Sequence, residues 1–165
     1  MRRIVEALYE ANRLEEGLKN GLLVLSIEDI AAYVAAFAKG LTDEGHPVVA
    51  QGPEKGIMAI YDEIILGQHL DHVVRNALRY ATSGTNVEVS VREERGTAVI
   101  GIFNFGKHIE DTVEIFSLGV SDRASPDSMG LGLYAAKIQI RGMNGNIHAE
   151  NRESGVAFVI TLPTS

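Results

Sequence analysis

Val87-Glu88-Val89-Ser90-Val91-Arg92, followed after Glu93-Glu94-Arg95-Gly96 by Thr97-Ala98-Val99-Ile100-Gly101-Ile102-Phe103, is the stretch that decides the fold class. Valines alternate with polar residues at a period of two, which sets one row of side chains against a core and the other toward solvent. The intervening residues include a glycine where the chain must reverse, so the pair predicts an antiparallel hairpin. A second hairpin is expected near the end: Asn146 to Glu150, a turn at Asn151 to Gly155, and Val156 to Leu162 before Pro163.

Working outward, the remaining patterns are mostly helical. Ile4, Leu8, Ala11, Leu14 and Leu18 fall three and four apart, predicting an amphipathic helix over residues 3–20 that Asn20-Gly21 stops. Ser26, with Asp29 three residues on, is a capping-box-like start for a second helix through about Lys39, with Ile30, Val34 and Phe37 as its core stripe. Pro47 to Ala50 and Ile57 to Ile60, separated by Gly52-Pro53, read as two strands around a turn. Asp62 caps a long helix to about Thr82, whose apolar side is Ile65, Leu70, Val73, Val74, Ala77 and Leu78. A weakly patterned stretch, 105–129, leads to a last helix from about Leu131 to Arg141, ended at Gly142. Strands separated by helices, with hairpins beside them, predict an α+β two-layer sandwich: a mixed sheet of about five or six strands with about three helices on one face.

The chain has 165 residues, 45% of them hydrophobic, enough to bury the core of one ordinary domain. There is no cysteine, which removes disulfide scaffolds and thiolate metal sites and fits a reducing, cytoplasmic setting. The longest apolar run, Gly21 to Ile27, is far short of a bilayer span, and Met-Arg-Arg is not followed by a signal-peptide core. A formal charge of −7 with no long basic block disfavours nucleic acid as the main partner.

Two groups of residues stand out chemically. On the helix from Asp62, His69, His72, Asn76 and Arg79 are spaced three and four apart and form one polar stripe. Such a stripe is either a solvated face or a site where the Asn76 carbonyl oxygen holds a hard cation such as Mg²⁺, with Arg79 adding charge for phosphates. Gly130 and Gly132 enter the last helix, where backbone N–H groups and the positive end of the dipole suit an anion, although close helix packing uses the same residues. His69, Asp71 and His72 lack a further clustered ligand and make a poor metal set, and His46 and His148 read as ordinary surface or core residues.

Taken together, these residues resemble a known family. Asn76-Ala77-Leu78-Arg79-Tyr80 is similar to the N box of histidine-kinase catalytic domains, the ATP-binding modules of the GHKL class with a Bergerat-type fold. Phe103 to Ile109 falls where the G1 box belongs, Ile115-Phe116 resembles the F box, Gly119 to Arg123 the segment after it, and Met129-Gly130-Leu131-Gly132-Leu133 the G2 box. The end, Gly145 to Pro163, looks like the family's closing hairpin, so the likeness runs in order over about residues 27–163.

The resemblance implies a function and a site. Asn76 would coordinate Mg²⁺ bridging the phosphates of ATP, with Asn76 and Arg79 the catalytic pair, and Arg79 and Tyr80 would line the nucleotide cleft. Asn104 stands where an aspartate normally accepts from the adenine amino group. Gly106 and Ile109 would shape the base pocket, Ser121 belongs to the lid, and Gly130, Leu131 and Gly132 would hold phosphates. The 13 residues from Ser117 to Met129 would be that ATP lid.

Three positions depart from the family. Asn104 replaces the aspartate and loses only the charge-assisted part of its bond, about 1 kcal/mol. His108 replaces the second G1 glycine, either narrowing the pocket or pointing outward. His72 stands one turn before Asn76, where hydrolytic members carry a glutamate base.

The implied reaction is transfer of the γ-phosphate to a histidine on a dimerisation domain, with a response regulator downstream. None of the five histidines sits in an acceptor motif. Residues 1–25 are therefore expected to be the tail of a dimerisation helix or a linker, and 26–165 the ATP-binding catalytic domain, cut from a longer homodimeric sensor kinase open to a membrane anchor elsewhere. A free-standing protein with its own N-terminal helix is the alternative. A docking module that has lost its chemistry and a serine kinase of the anti-sigma type share the fold and are the competing functions.

Overall fold

The computed structural model describes residues 2–19, 22–117 and 132–165. Helix α1 (Arg2–Lys19) is followed by strand β1 (Ser26–Asp29), α2 (Ile30–Asp43), β2 (Val48–Gln51), β3 (Met58–Tyr61) and α3 (Glu63–Tyr80). Then come β4 (Val87–Glu94), β5 (Thr97–Phe105), a single 3-10 turn (Glu114–Phe116), α4 (Gly132–Gly142), β6 (Asn146–Arg152) and β7 (Gly155–Pro163).

Both expected hairpins form, β4 with β5 and β6 with β7, and β5 pairs antiparallel with β7 to join them. The main sheet has the order β2-β4-β5-β7-β6. The period of two holds in β4, and Val87, Val89 and Val91, Ala98, Ile100 and Ile102, and Val156, Phe158, Ile160 and Leu162 are buried, as are Val99, Ala157 and Val159 of the opposite rows in β5 and β7. They meet Val34, Ala38 and Leu41 of α2, Leu66, Leu70, Val73, Val74 and Ala77 of α3, and Ala136 and Ile140 of α4 in one core. The mixed sheet with helices packed on one side is the two-layer architecture expected.

The strands flanking Gly52-Pro53 do not form the local pair that the turn residues suggested. β2 joins β4 in parallel at the edge of the main sheet, whereas β3 pairs with β1 in a separate two-stranded antiparallel sheet. Asp29 explains the switch. Its carboxylate accepts from the N–H groups of Gly56 (2.7 Å) and Ile57 (3.4 Å), and Ile30 N–H donates to the Ile57 carbonyl at 2.8 Å, so the entrance to β3 is fastened to the end of β1.

Asp29, not Ser26, also caps α2, accepting from Ala32 N–H at 3.1 Å. Ser26 lies in β1 instead. The helix runs past Lys39 because Leu41 is buried in the core, and it ends where Gly45 takes φ +93°. The Gly56 and Ala32 N–H groups hold the Asp29 carboxyl below the usual carboxylate range. A depressed carboxylate stabilises the fold above its ordinary pKa, near 4, and the benefit vanishes as pH falls through the folded value. Asp29→Ala is therefore expected to lower stability by about 1 kcal/mol at neutral pH. Urea melts should show the gap closing once wild-type Asp29 is protonated.

Asp62 caps α3 by accepting from Ile65 N–H (3.0 Å), and its second oxygen accepts from Val24 N–H (2.8 Å), tying the segment before β1 to the start of α3. On α1, Ala11 is buried and Tyr134 of α4 donates to Glu15 at 3.2 Å, so α1 lies on α4. Leu8 of the expected stripe is exposed, and the side chains of Ile4, Leu14 and Leu18, with the Asn20-Gly21 stop, lie outside the described residues. Among the described residues no helix is long and apolar enough to cross a membrane.

Candidate functional site

Ala98, Ile100 and Ile102 face the helices, and the same parity carries Asn104 inward at the end of β5. An amide thus occupies a position in the row that its predecessors fill with core side chains. Asn104 is 4% exposed, its Nδ2 donates to the Phe105 carbonyl at 3.1 Å, and no described donor meets its Oδ1. Among the described residues no fully buried side-chain oxygen or nitrogen lacks a partner, and Asn104 lines a cavity.

The cavity has a volume of about 410 Å³. Asn76, Ala77 and Tyr80 of α3 form one wall, and Asn104 sits at its end. Ile109, Ile115, Leu133, Val156 and Phe158 supply an apolar floor and sides. Lys107, His108 and Glu110, all exposed, complete the lining, and two amides above an apolar floor suit a flat ligand with a polar edge. A larger hollow of about 590 Å³ lies between α2 and β2, lined by Ala35, Ala36, Lys39, Thr42, Gln51 and Pro53, and none of the motif residues reaches it.

The loop after β5 is held in place by the closing hairpin. Asn151 clamps Ile109 from both sides, its Oδ1 accepting from Ile109 N–H and its Nδ2 donating to the Ile109 carbonyl, each at 2.8 Å. Gly106 N–H donates to the Ser154 carbonyl at 3.1 Å. A Cβ at Gly106 would lie 2.7 Å from the Tyr80 carbonyl oxygen, so only glycine lets the loop cross the end of α3 there. His108 is exposed at the cavity rim, with Nε2 bonded to the Arg152 carbonyl. That bond holds its ring against the hairpin while it still borders the cavity.

The polar stripe of α3 is not a uniform solvated face. His69 is buried and shares a 2.6 Å hydrogen bond with Gln139 of α4, while burial pulls its pKa below the ordinary value. His72 is partly buried, and burial first, then the Arg79 charge, lowers its pKa as well. Its Nε2 lies 3.4 Å from Asn76 Nδ2. An amide nitrogen can only donate, so the neutral ring accepts there. Arg79 is exposed and outside the cavity lining.

Asn76, Tyr80, Asn104 and Ile109 therefore converge on one cavity, and Gly106 and Gly132 stand at close contacts beside it. Ser121, Gly130, Leu131 and the lid expected up to Met129, apart from Ser117, lie outside the described residues. Val156 and Phe158 were not among the expected site residues. They reach the cavity because Val156 pairs with Asn104 and Phe158 with Ile102, a register that no local pattern announces.

Among the described residues, the donor that suits a hard cation in the cavity is the Asn76 amide. Among the described residues no three His, Asp or Glu side chains gather to cage a metal. A cation at Asn76 would take the amide oxygen and complete its shell from ligand phosphates and water, the habit of Mg²⁺ rather than of a fully caged ion.

Comparison with known proteins extends this geometry. The sensor protein CutS of Streptomyces coelicolor is 27% identical over 183 residues, 99% of this chain and 44% of CutS. The nucleotide-free catalytic domain of the histidine kinase ThkA superposes with a TM-score of 0.74 at 19% identity, covering 86% of this chain and 99% of that domain. Full-length ShkA, solved in complex with AMPPNP, superposes with a TM-score of 0.69 at 20% identity over 87% of this chain and 32% of ShkA. The chain spans less than half the length of the curated relatives it matches. Residues 61–165, the segment carrying α3, β5, α4 and the closing hairpin, match the model of the histidine kinase-, DNA gyrase B-, and HSP90-like ATPase family, and the chain belongs to that family.

Proposed function

We propose that this chain is the ATP-binding catalytic domain of a sensor histidine kinase, which binds Mg-ATP in the Asn76–Asn104 cavity and donates the γ-phosphate to a histidine on a partner dimerisation segment. The observation that carries the reading is the convergence of Asn76 and Asn104 on one cavity with an apolar floor. The adenine ring lies against Ile109, Ile115, Val156 and Phe158, and Asn104 Oδ1 accepts from its amino group. Asn76 and the first turn of α4 would then hold the triphosphate, with Arg79 adding positive charge. Bound Mg²⁺ supplies neutralisation of phosphate charge, with Asn76 as its protein ligand.

Phosphoryl transfer needs positioning and charge balance more than a nucleophile from the protein, so this clamp can be complete in itself. The acceptor belongs on another segment. Each histidine here already has a neighbour: His46 with Glu44, His69 with Gln139, His72 with Asn76, His108 with Arg152 and His148 with Glu150. Residues 1–25 read as a linker or the tail of a dimerisation helix, with 26–165 as the catalytic unit. A full-length homodimeric kinase would place the acceptor upstream and pass the phosphoryl group to a response regulator.

Calorimetric titration tests the first half: Mg-ATP should bind at millimolar nucleotide or below, and absence of binding overturns the reading. Labelled ATP and a supplied dimerisation segment test the second half. The expected product is acid-labile, as phosphohistidine is, whereas an acid-stable product would point to a serine kinase.

A further inference from the structure

At the start of α4, His72 and Gly132 are fitted to each other. A Cβ built on Gly132 would collide with Nε2, Cε1 and Cδ2 of the His72 ring, so the imidazole lies directly over the α-carbon of Gly132. The same Nε2 meets Asn76 Nδ2 at 3.4 Å on the other side. One ring therefore touches both the side chain assigned to the cation and the helix end assigned to the phosphates.

We propose that His72 is a positioning residue, which by accepting from the Asn76 amide nitrogen turns the Asn76 oxygen toward the cation and couples that ligand to the first turn of α4. This rests on the reading of Asn76 as the cation ligand. An amide presents its oxygen and nitrogen on opposite sides, so holding the nitrogen sets where the oxygen points. Without an acceptor at position 72 the amide is free to rotate and offer the cation an N–H group, which is repulsive. Groups that orient a metal ligand from behind commonly matter about 10- to 100-fold in metal affinity. The arrangement also bears on hydrolysis. A ring nitrogen that already accepts from Asn76 is not available to take a proton from water, so His72 does not stand in for the glutamate base of hydrolytic relatives.

The fit to Gly132 gives that glycine a reason particular to this chain. Its missing side chain makes room for His72, so replacement by alanine must push the ring off Asn76, in addition to any effect on the phosphates that this helix end holds.

The test is ATP binding by the full chain, measured by calorimetry in Mg²⁺ and again in excess chelator, for wild type, His72→Phe, His72→Asn and Gly132→Ala. Phenylalanine keeps a ring over Gly132 and removes the acceptor. It is expected to cut the Mg-linked gain in affinity by about tenfold, with binding in chelator little changed. Asparagine, one helical turn before Asn76, restores an acceptor oxygen and should recover most of the gain. Gly132→Ala should lose the gain as His72→Phe does. Unchanged Mg dependence in His72→Phe overturns the proposal, as does an equal loss in Mg²⁺ and in chelator, which is what a packing role alone would produce. If wild type binds no ATP under either condition, the nucleotide reading itself falls.

Discussion

Asn76→Asp is expected to abolish Mg-ATP binding at millimolar nucleotide while the domain remains folded. The substitution is nearly isosteric, and Asn76 is only partly buried on α3, so the core formed by Val73, Val74 and Ala77 beside it is not disturbed. What changes is charge. A carboxylate facing a triphosphate at about 4 Å opposes it by roughly 4 kcal/mol in a site of intermediate polarity, or about a thousandfold in affinity. The new oxygen also loses the N–H that Asn76 offers to His72, leaving two acceptors face to face. Titration with and without Mg²⁺, beside a thermal melt, checks this. Retained Mg-ATP affinity in a folded variant would remove Asn76 from the cation site.

Asn104→Leu is the second large effect, and it should act on the other end of the nucleotide. Asn104 lines the cavity and its Nδ2 donates to the Phe105 carbonyl, which leaves its oxygen as the atom for a ligand. That orientation favours a base edge carrying an amino group, as adenine does, over one carrying a carbonyl, as guanine does. Leucine leaves the adenine amino group desolvated without an acceptor, which costs about 1–3 kcal/mol, or roughly 10- to 100-fold in affinity. The loss should be equal in Mg²⁺ and in chelator, and the preference for ATP over GTP should disappear. Unchanged discrimination would move adenine recognition away from Asn104. The aspartate usual in the family is not a free improvement here. Its second oxygen would face the Phe105 carbonyl that now accepts from Nδ2.

These two variants probe ends of the site that were readable to different degrees. Asn76 stood out because an amide in the middle of an amphipathic helix is out of place, and the Asp62 cap and the heptad-like apolar side located that helix closely. Asn104 was recognisable as a departure within a motif. Its inward direction follows from counting twos along Thr97–Phe105, but its open oxygen does not. His69 shows the limit of such counting. It shares the helical spacing of Asn76, yet Gln139 of α4 covers it, because a stripe defines a direction and not what lies in that direction.

The two hairpins, the helical stripes, the Asp62 cap and the order of the nucleotide-site motifs are legible along the chain, since each depends on neighbours a few residues apart, where period and capping chemistry act. Long-range packing alone sets β2 beside β4 while β3 leaves for β1, brings Val156 and Phe158 to the cavity floor, and makes room for His72 at Gly132. Those outcomes rest on hydrogen bonds and close packing between segments tens of residues apart. Asp29 to Gly56, Asn104 beside Val156, and His72 against Gly132 each join such segments, and no local period encodes which distant surface a side chain will meet.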